Sequence, residues 1–205
     1  MLRFCFLLII HKFIYIMRIV FFLSILFTTC QSHDFISFEN LQKNSVDGQT
    51  IFYYHDKKFS GKVYKKSNDK ISLEFELKDG KYNGYFKEFH LGGSIKKELN
   101  YENGILQGYE NNYFENGVMS ETVNYNNGKF HGSRFVYWEN GIVKEKNTFN
   151  NGVLVGNTTH YYSNGKIRKE IKFDSQGKKD GKWVDYDAKG NKIKVEYFKN
   201  GIKLN

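Results

Sequence analysis

"NGILQGYENNYFENGVMSETVNYN" (Asn103–Asn126) is followed at once by "NGKFHGSRFVYWENGIVKEKNTF" (Asn127–Phe149). The second string repeats the first with its glycines in register: Gly104, Gly108 and Gly117 are answered by Gly128, Gly132 and Gly141. Tyr113 is answered by Tyr137, and Tyr125 by Phe149. Self-similarity at a step of 24 residues marks a repeat architecture, in which each unit buries its apolar side chains against its neighbours. Units open at Gly80, Gly104, Gly128, Gly152 and Gly177, with a partial one at Gly201. A second glycine follows each opening (Gly84, Gly108, Gly132, Gly156, Gly181) and then a third (Gly93, Gly117, Gly141, Gly165, Gly190). The step from Gly152 to Gly177 is 25, so one residue is inserted around Asp174–Gln176. Upstream, from Val46, lies a degenerate entry unit in which Tyr53, Phe59 and Val63 serve as strand residues.

Seven of the punctuating dipeptides are Asn-Gly, at Asn103, Asn116, Asn127, Asn140, Asn151, Asn164 and Asn200. Asn-Gly tolerates the two positive φ angles of a type I′ turn, whose twist suits the strands it joins. Each unit is therefore expected to hold two reversals and two short strands, and the second glycine is read as a turn residue as well. Alternation supports strands: Met119, Val123 and Tyr125 share one parity, as do Ile95, Leu99 and Tyr101, with Ser120, Thr122 and Asn124 between. One face should be apolar and the other wet. Tyr113-Phe114, Tyr137-Trp138 and Tyr161-Tyr162 place a ring on each face, giving ladders of aromatics along the array. The fold expected is all-β: an elongated antiparallel meander of tandem hairpin repeats over residues 46–205, a single twisted layer stabilised by neighbour contacts rather than by one central core. The lysines of the last strand, Lys192, Lys194, Lys199 and Lys203, suit an edge that must resist pairing with other chains.

Composition agrees. The chain has 205 residues, no proline, 19 glycines and 18% aromatics, which favours strands joined by glycine turns. Its formal charge is +9, but residues 1–30 hold Arg3, Lys12 and Arg18 and no acid. The remaining +6 is spread along the repeats, unlike the dense basic patch of a nucleic-acid binder.

Residues 1–30 form a leader. Met17 and Arg18 precede "IVFFLSILFTT" and Cys30, the grammar of a secretory signal, and Met17 is a second possible start. Phe27-Thr28-Thr29-Cys30 resembles a bacterial lipobox, with Phe27 where leucine is usual; the resemblance implies that Cys30 is the lipidated first residue of the mature protein. A plain signal cut near Thr29 and an uncleaved membrane anchor are the alternatives. Cys5 and Cys30 are the only cysteines, so the body beyond them has no disulfide and no thiol metal site. Residues 31–45 read as a polar linker.

The unit resembles the bacterial variant of the MORN repeat, Y-x-x-N-G-x-x-x-G-x-x-x-x-Y-x-x-N-G. Its best copies are "YNNGKFHGSRFVYWENG" (Tyr125–Gly141) and "FNNGVLVGNTTHYYSNG" (Phe149–Gly165). The entry segment "GQTIFYYHDKKFSGKVY" is similar to the opening of YwqK-family antitoxins, with Lys58 where those carry proline. These resemblances imply a sheet used for contacts with proteins or membranes, no catalytic residues, and, for the antitoxin branch, neutralisation of a toxin by direct binding.

No catalytic, cofactor or metal constellation is legible. His11, His33, His55, His90, His131 and His160 show no metal-ligand spacing; His90 and His160 stand where other units carry rings, and His131 belongs to a turn. G-x-x-x-G recurs in every unit but lacks the Lys-Ser or Lys-Thr of a P-loop. Glu121, Glu145 and Glu170 are read as lying opposite lysines on a solvated face. The expected function is a non-catalytic, lipid-anchored envelope protein that binds a protein partner, with Phe114, Trp138, Tyr162 and Trp183 as candidate binding aromatics. An antitoxin or immunity-type role, with a toxin as partner, is the first alternative. A surface glycan-binding or hydrolytic protein is the second.

Overall fold

The computed structural model describes residues 35–205, so the leader and Cys30 lie outside the described residues. The first elements are β1 (Phe35–Ser37), a 3₁₀ turn (Phe38–Asn40), β2 (Gln42–Val46), β3 (Gln49–Tyr54), β4 (Lys57–Lys58), β5 (Gly61–Ser67), β6 (Lys70–Lys78) and β7 (Lys81–Phe89). The regular units follow as β8 (Ile95–Glu102), β9 (Ile105–Leu106), β10 (Gly108–Tyr113), β11 (Met119–Asn126), β12 (Lys129–Tyr137), β13 (Val143–Asn150), β14 (Val153–Tyr161) and β15 (Ile167–Phe173). The described chain closes with β16 (Gly181–Tyr186), β17 (Lys192–Lys199) and β18 (Ile202–Leu204). One 15-stranded sheet takes up β1 and β5 to β18, in chain order from β5 onward except that the short β9 lies off the path against β8 and β10 pairs with β8. All pairs are antiparallel except β1, which runs parallel to β5. The all-β repeat expectation is met.

Two parts of that expectation are corrected at the amino-terminal end. Residues 35–44, read as part of a linker, are built into β1, the 3₁₀ turn and β2. The entry unit does not extend the long sheet by a simple hairpin. Instead β2, β3 and β4 make a separate three-stranded sheet, so the array is not single-layered here. Phe52, Phe59, Val63, Phe75 and Leu77 form a buried cluster between the two, joined at its rim by Ile36, Phe38, Leu41 and Phe86. The rings of Phe52 and Tyr82 meet at 5.3 Å and 77°, edge to face.

The Asn-Gly pairs divide into two turn types. Asn103, Asn127, Asn151 and Asn200 have φ of 49–51° ahead of a positive-φ glycine, the two left-handed residues of a type I′ turn. Asn116, Asn140 and Asn164 do not share that angle. There only the glycine is left-handed, its N–H donates back to the ring residue three positions earlier (Gly141 to the Trp138 carbonyl, 2.8 Å), and the asparagine side chain accepts the N–H two residues on (Ile142, 3.1 Å). These are type I turns completed by a glycine, the three-residue hairpin solution. The expectation of seven type I′ turns is thus corrected to four.

The second glycines are not turn residues either. Gly132 lies inside β12, where the pairing jumps from Val123↔Arg134 to Tyr125↔Phe130. It is a β-bulge carried on a positive φ of 84°. Gly84 and Gly156 mark the same irregularity in β7 and β14. His131, adjacent to the bulge, is therefore a strand residue rather than part of a turn.

Candidate interaction surface

Cross-strand register assigns side chains to faces. One unbroken row runs Glu74, Lys87, Glu98, Asn111, Thr122, Phe135, Lys146, Thr159, Glu170, Val184 and Val195. This row and its parity mates form what we call the Tyr85 face. The opposite Phe75 face carries Val63, Phe75, Phe86 and Leu99 at one level. Alongside, at the next level, stand Glu88, Lys97, Asn112, Glu121, Val136, Glu145, His160, Lys169, Asp185 and Lys194.

The Phe75 face is therefore apolar at the start of the array and charged at mid-strand further on. Lys97, Glu121 and Lys169 share parity with the apolar residues that flank them, which corrects the reading of an apolar face opposite a wet one. Pairing makes this tolerable, because a half-buried charge needs a partner. Lys97 Nζ reaches Glu110 at 2.9 Å, and Lys169 reaches Asp185 at 3.1 Å. Arg134 bridges two carboxylates, Nε to Glu121 at 2.6 Å and Nη1 to Glu145 at 3.0 Å. His160 Nδ1 stands 3.2 Å from the other oxygen of Glu145. Glu121 and Glu145 thus face an arginine and a histidine, half-buried, rather than lysines on a solvated face. The His160 contact holds the Glu145 carboxyl down at about 2, against the opposing pull of burial, with Asn147 and Arg134 helping. Burial would raise the Glu110 carboxyl, but hydrogen bonds from Asn112 and Lys97 outweigh it and keep it low. Asn147 and Thr158 are buried here, and Asn147 Oδ1 and Thr158 Oγ1 have no partner among the described residues.

On the Tyr85 face the tyrosines are tied to carboxylates. Tyr85 donates to Glu74, Tyr113 to Glu98 at 2.7 Å and Tyr186 to Glu170 at 2.5 Å. Burial first, and Glu98 second, push the Tyr113 hydroxyl up to about 12. Lysines lie over the rings: Lys87 over Tyr85 at 5.6 Å and Lys146 over Phe135 at 5.6 Å. Tyr109 and Tyr197 stand out, 65% and 51% exposed. Single exposed rings are ordinary, but tyrosine is among the residue types enriched at interfaces, and both of these lie on one face.

The four candidate aromatics do not share a surface. Phe114, Trp138 and Tyr162 open the type I turns at one edge of the sheet, where each is half-buried. Trp138 Nε1 donates to the Tyr161 carbonyl at 3.3 Å and the Tyr162 hydroxyl to the Tyr186 carbonyl at 2.7 Å. His90 makes the same bond to Tyr113, at 3.0 Å. These side chains stitch one unit to the next. Trp183 lies on the Phe75 face against Phe173 and Phe198, with Lys179 Nζ 4.4 Å from its ring centre. Two hollows remain. One, about 410 Å³, lies beside Phe114 and His90 at the turn edge. The other, about 350 Å³, opens between β14, β15 and β16 and is lined by Asn157, Thr159, Glu170, Lys172, Lys182 and Val184. Among the described residues no group of three or more His, Cys, Asp or Glu could hold a metal ion.

Tyr109, Tyr197, Lys172 and Lys182 were not singled out from the sequence. Their signal is positional: Tyr109 and Lys182 each follow a second glycine.

Four consecutive stretches, residues 82–103, 106–127, 130–151 and 154–175, match the family model described as MORN repeat variant. The matched stretches run in tandem from Tyr82 on β7 to just beyond β15, and the sheet continues past them on both sides. No curated protein matches the chain.

Proposed function

We infer that the array is an interaction module, because repeats of the matched kind generally serve contacts with proteins or membranes. We propose that this protein is a non-catalytic interaction module that holds a protein partner on its Tyr85 face, tethered to a cell envelope through a lipid on Cys30. The observation that carries the reading is the contrast between faces. The Phe75 face spends its charges on one another and is covered by the entry sheet at its start. Tyr109 and Tyr197 stay exposed on the other face, Tyr197 beside Lys182. The tether rests on the leader grammar and the lone Cys30 at its end.

A photo-crosslinking amino acid at Tyr109, compared with one at Glu115 on the turn edge, tests the binding face. A specific adduct from Tyr109 alone is expected; equal labelling from both sites, or none, counts against it. Mass spectrometry of the mature amino terminus tests the tether: an acylated Cys30 is expected, and an unmodified start elsewhere removes it. The antitoxin alternative rests only on the likeness of the entry segment. It predicts that co-expression rescues growth from a toxin encoded nearby.

A further inference from the structure

The regular units close their type I′ hairpins with a docking bond. Gly104, Gly128, Gly152 and Gly201 each donate an N–H to a carbonyl of the preceding unit: Tyr82, Leu106, Phe130 and Lys179, at 2.7–2.9 Å. At Gly177 this bond is replaced. The extra residue in Asp174–Gly177 converts the two-residue turn into a longer one, and the Gly177 N–H turns back to the Asp174 carbonyl at 3.2 Å. Asp174 Oδ1 accepts from the N–H groups of Gln176 and Lys178, at 2.8 and 2.9 Å. The ladder beside it is short, as it also is between β8 and β10, where only Asn111↔Glu98 and Asn112↔Lys97 pair. Between β15 and β16 only Lys169↔Asp185 and Glu170↔Val184 pair in register, with one isolated bridge at Phe173↔Lys179. The 350 Å³ hollow of the Tyr85 face opens at this splay.

Two features say what the hollow would accept. Its carboxylate, Glu170, is taken by the Tyr186 hydroxyl at 2.5 Å, whereas Lys172 and Lys182 are exposed and form no ion pair with another described residue. The charge it offers is positive. Beside it, on the same face of β17, Ile193, Val195 and Tyr197 are 64%, 42% and 51% exposed, with Val195 paired to Val184 of the hollow and Tyr197 to Lys182. Strands lie about 4.8 Å apart, and alternate residues of an extended chain are about 7 Å apart. An acidic side chain seated between the lysines thus puts the residue two positions on over Val195 and Tyr197.

We propose that this splay is a docking site for an extended peptide segment of a partner protein, in which an aspartate or glutamate is followed two residues later by an apolar side chain. This deepens the protein-binding reading above and rests on it. The charge complementarity of the hollow and the apolar stripe beside it commit the site to a peptide that carries both.

The test is selection of a random-heptapeptide display library on the full chain in detergent, followed by fluorescence anisotropy with the enriched peptides. Enrichment of acid-x-apolar sequences is expected. Binding should weaken at least tenfold in Lys172→Glu/Lys182→Glu and in Tyr197→Ala, and should recover when the peptide's acid is changed to lysine against the Lys→Glu variant. Deleting Ser175 with Gln176→Asn restores an Asn-Gly pair and the 24-residue step. That variant should close the hollow and abolish binding while the circular dichroism stays that of the parent. Enriched peptides without an acid, or peptides indifferent to the lysine swaps, overturn the site and leave the protein-binding reading standing. Binding to vesicles of anionic lipid that the same swaps abolish, with no peptide enriched, overturns both.

Discussion

The indole nitrogen of Trp138 donates to the backbone carbonyl of Tyr161, the residue that precedes Tyr162 at the same place in the next unit. Tyr162 makes the equivalent bond to Tyr186, but Phe114, in the unit before, has no hydrogen to give. Side chains that look like an exposed ladder in the sequence thus act as fasteners between repeats.

Tyr162→Phe removes the hydroxyl and little else, so it should cost about 1 kcal/mol, the usual net worth of a neutral hydrogen bond. Phe114→Tyr should gain a comparable amount by supplying a donor for the Tyr137 carbonyl. Urea midpoints at constant m-value check both. A Phe114→Tyr variant no more stable than its parent would break the proposed equivalence of the positions.

Acid should loosen the middle of the array. The Glu145 carboxyl is held at about 2 against an ordinary 4.5, so its ionised form favours the folded state. That contribution is complete above the unfolded value, near pH 4.5, and is lost as pH falls towards 2. At about 1.4 kcal/mol per pH unit it is on the order of 3 kcal/mol. Melting temperatures of the parent should therefore drop more steeply between pH 5 and 2.5 than those of E145Q. Parallel curves would mean that the His160 and Arg134 contacts carry no such weight.

Glycines at open and closed places should respond differently. A Cβ on Gly80 would come within 2.7 Å of the Phe52 carbonyl oxygen, which is backbone and cannot swing away, at a φ of +77°. A Cβ on Gly117 meets nothing within 4 Å and bears only the positive φ of 82°. Gly117→Ala should cost about 1–2 kcal/mol and Gly80→Ala clearly more, because it also separates the entry sheet from β7. Equal losses would show that φ alone decides.

Asn147 occupies the place held by Phe75, Leu99, Val123 and Ile171 in other units, and its Oδ1 is buried without a partner. Asn147→Val should raise stability by about 1 kcal/mol, since removing an unsatisfied acceptor outweighs one lost donor to Glu145. Glu145 keeps Arg134 and His160. Chemical denaturation settles the sign.

Much of the fold was legible because glycine spacing and Asn-Gly pairs act locally. The period, the strands and the inserted residue near Asp174 all appear in the text of the chain. What was not legible depends on register. Whether Asn116-Gly117 makes a type I′ turn depends on how many residues its loop must span, which the dipeptide does not state. Gly132 shifts register inside β12, so faces cannot be counted through it by simple alternation. Glu121 reads as solvated until Arg134 and Glu145 are seen beside it. The entry sheet was hidden for another reason: the contact of Phe52 with Phe75 and Tyr82 arises only in three dimensions, and nothing in residues 46–60 repeats a later unit.

In the long sheet, the strands from β6 onward pair in chain order, with only the short β9 off that path against β8. Closing such short loops costs little entropy at each step, so the sheet can zip up progressively as the polypeptide emerges during synthesis. The same locality lets the gene lengthen or shorten by a 24-residue module without disturbing the pairing elsewhere, which makes the number of units an easily varied trait.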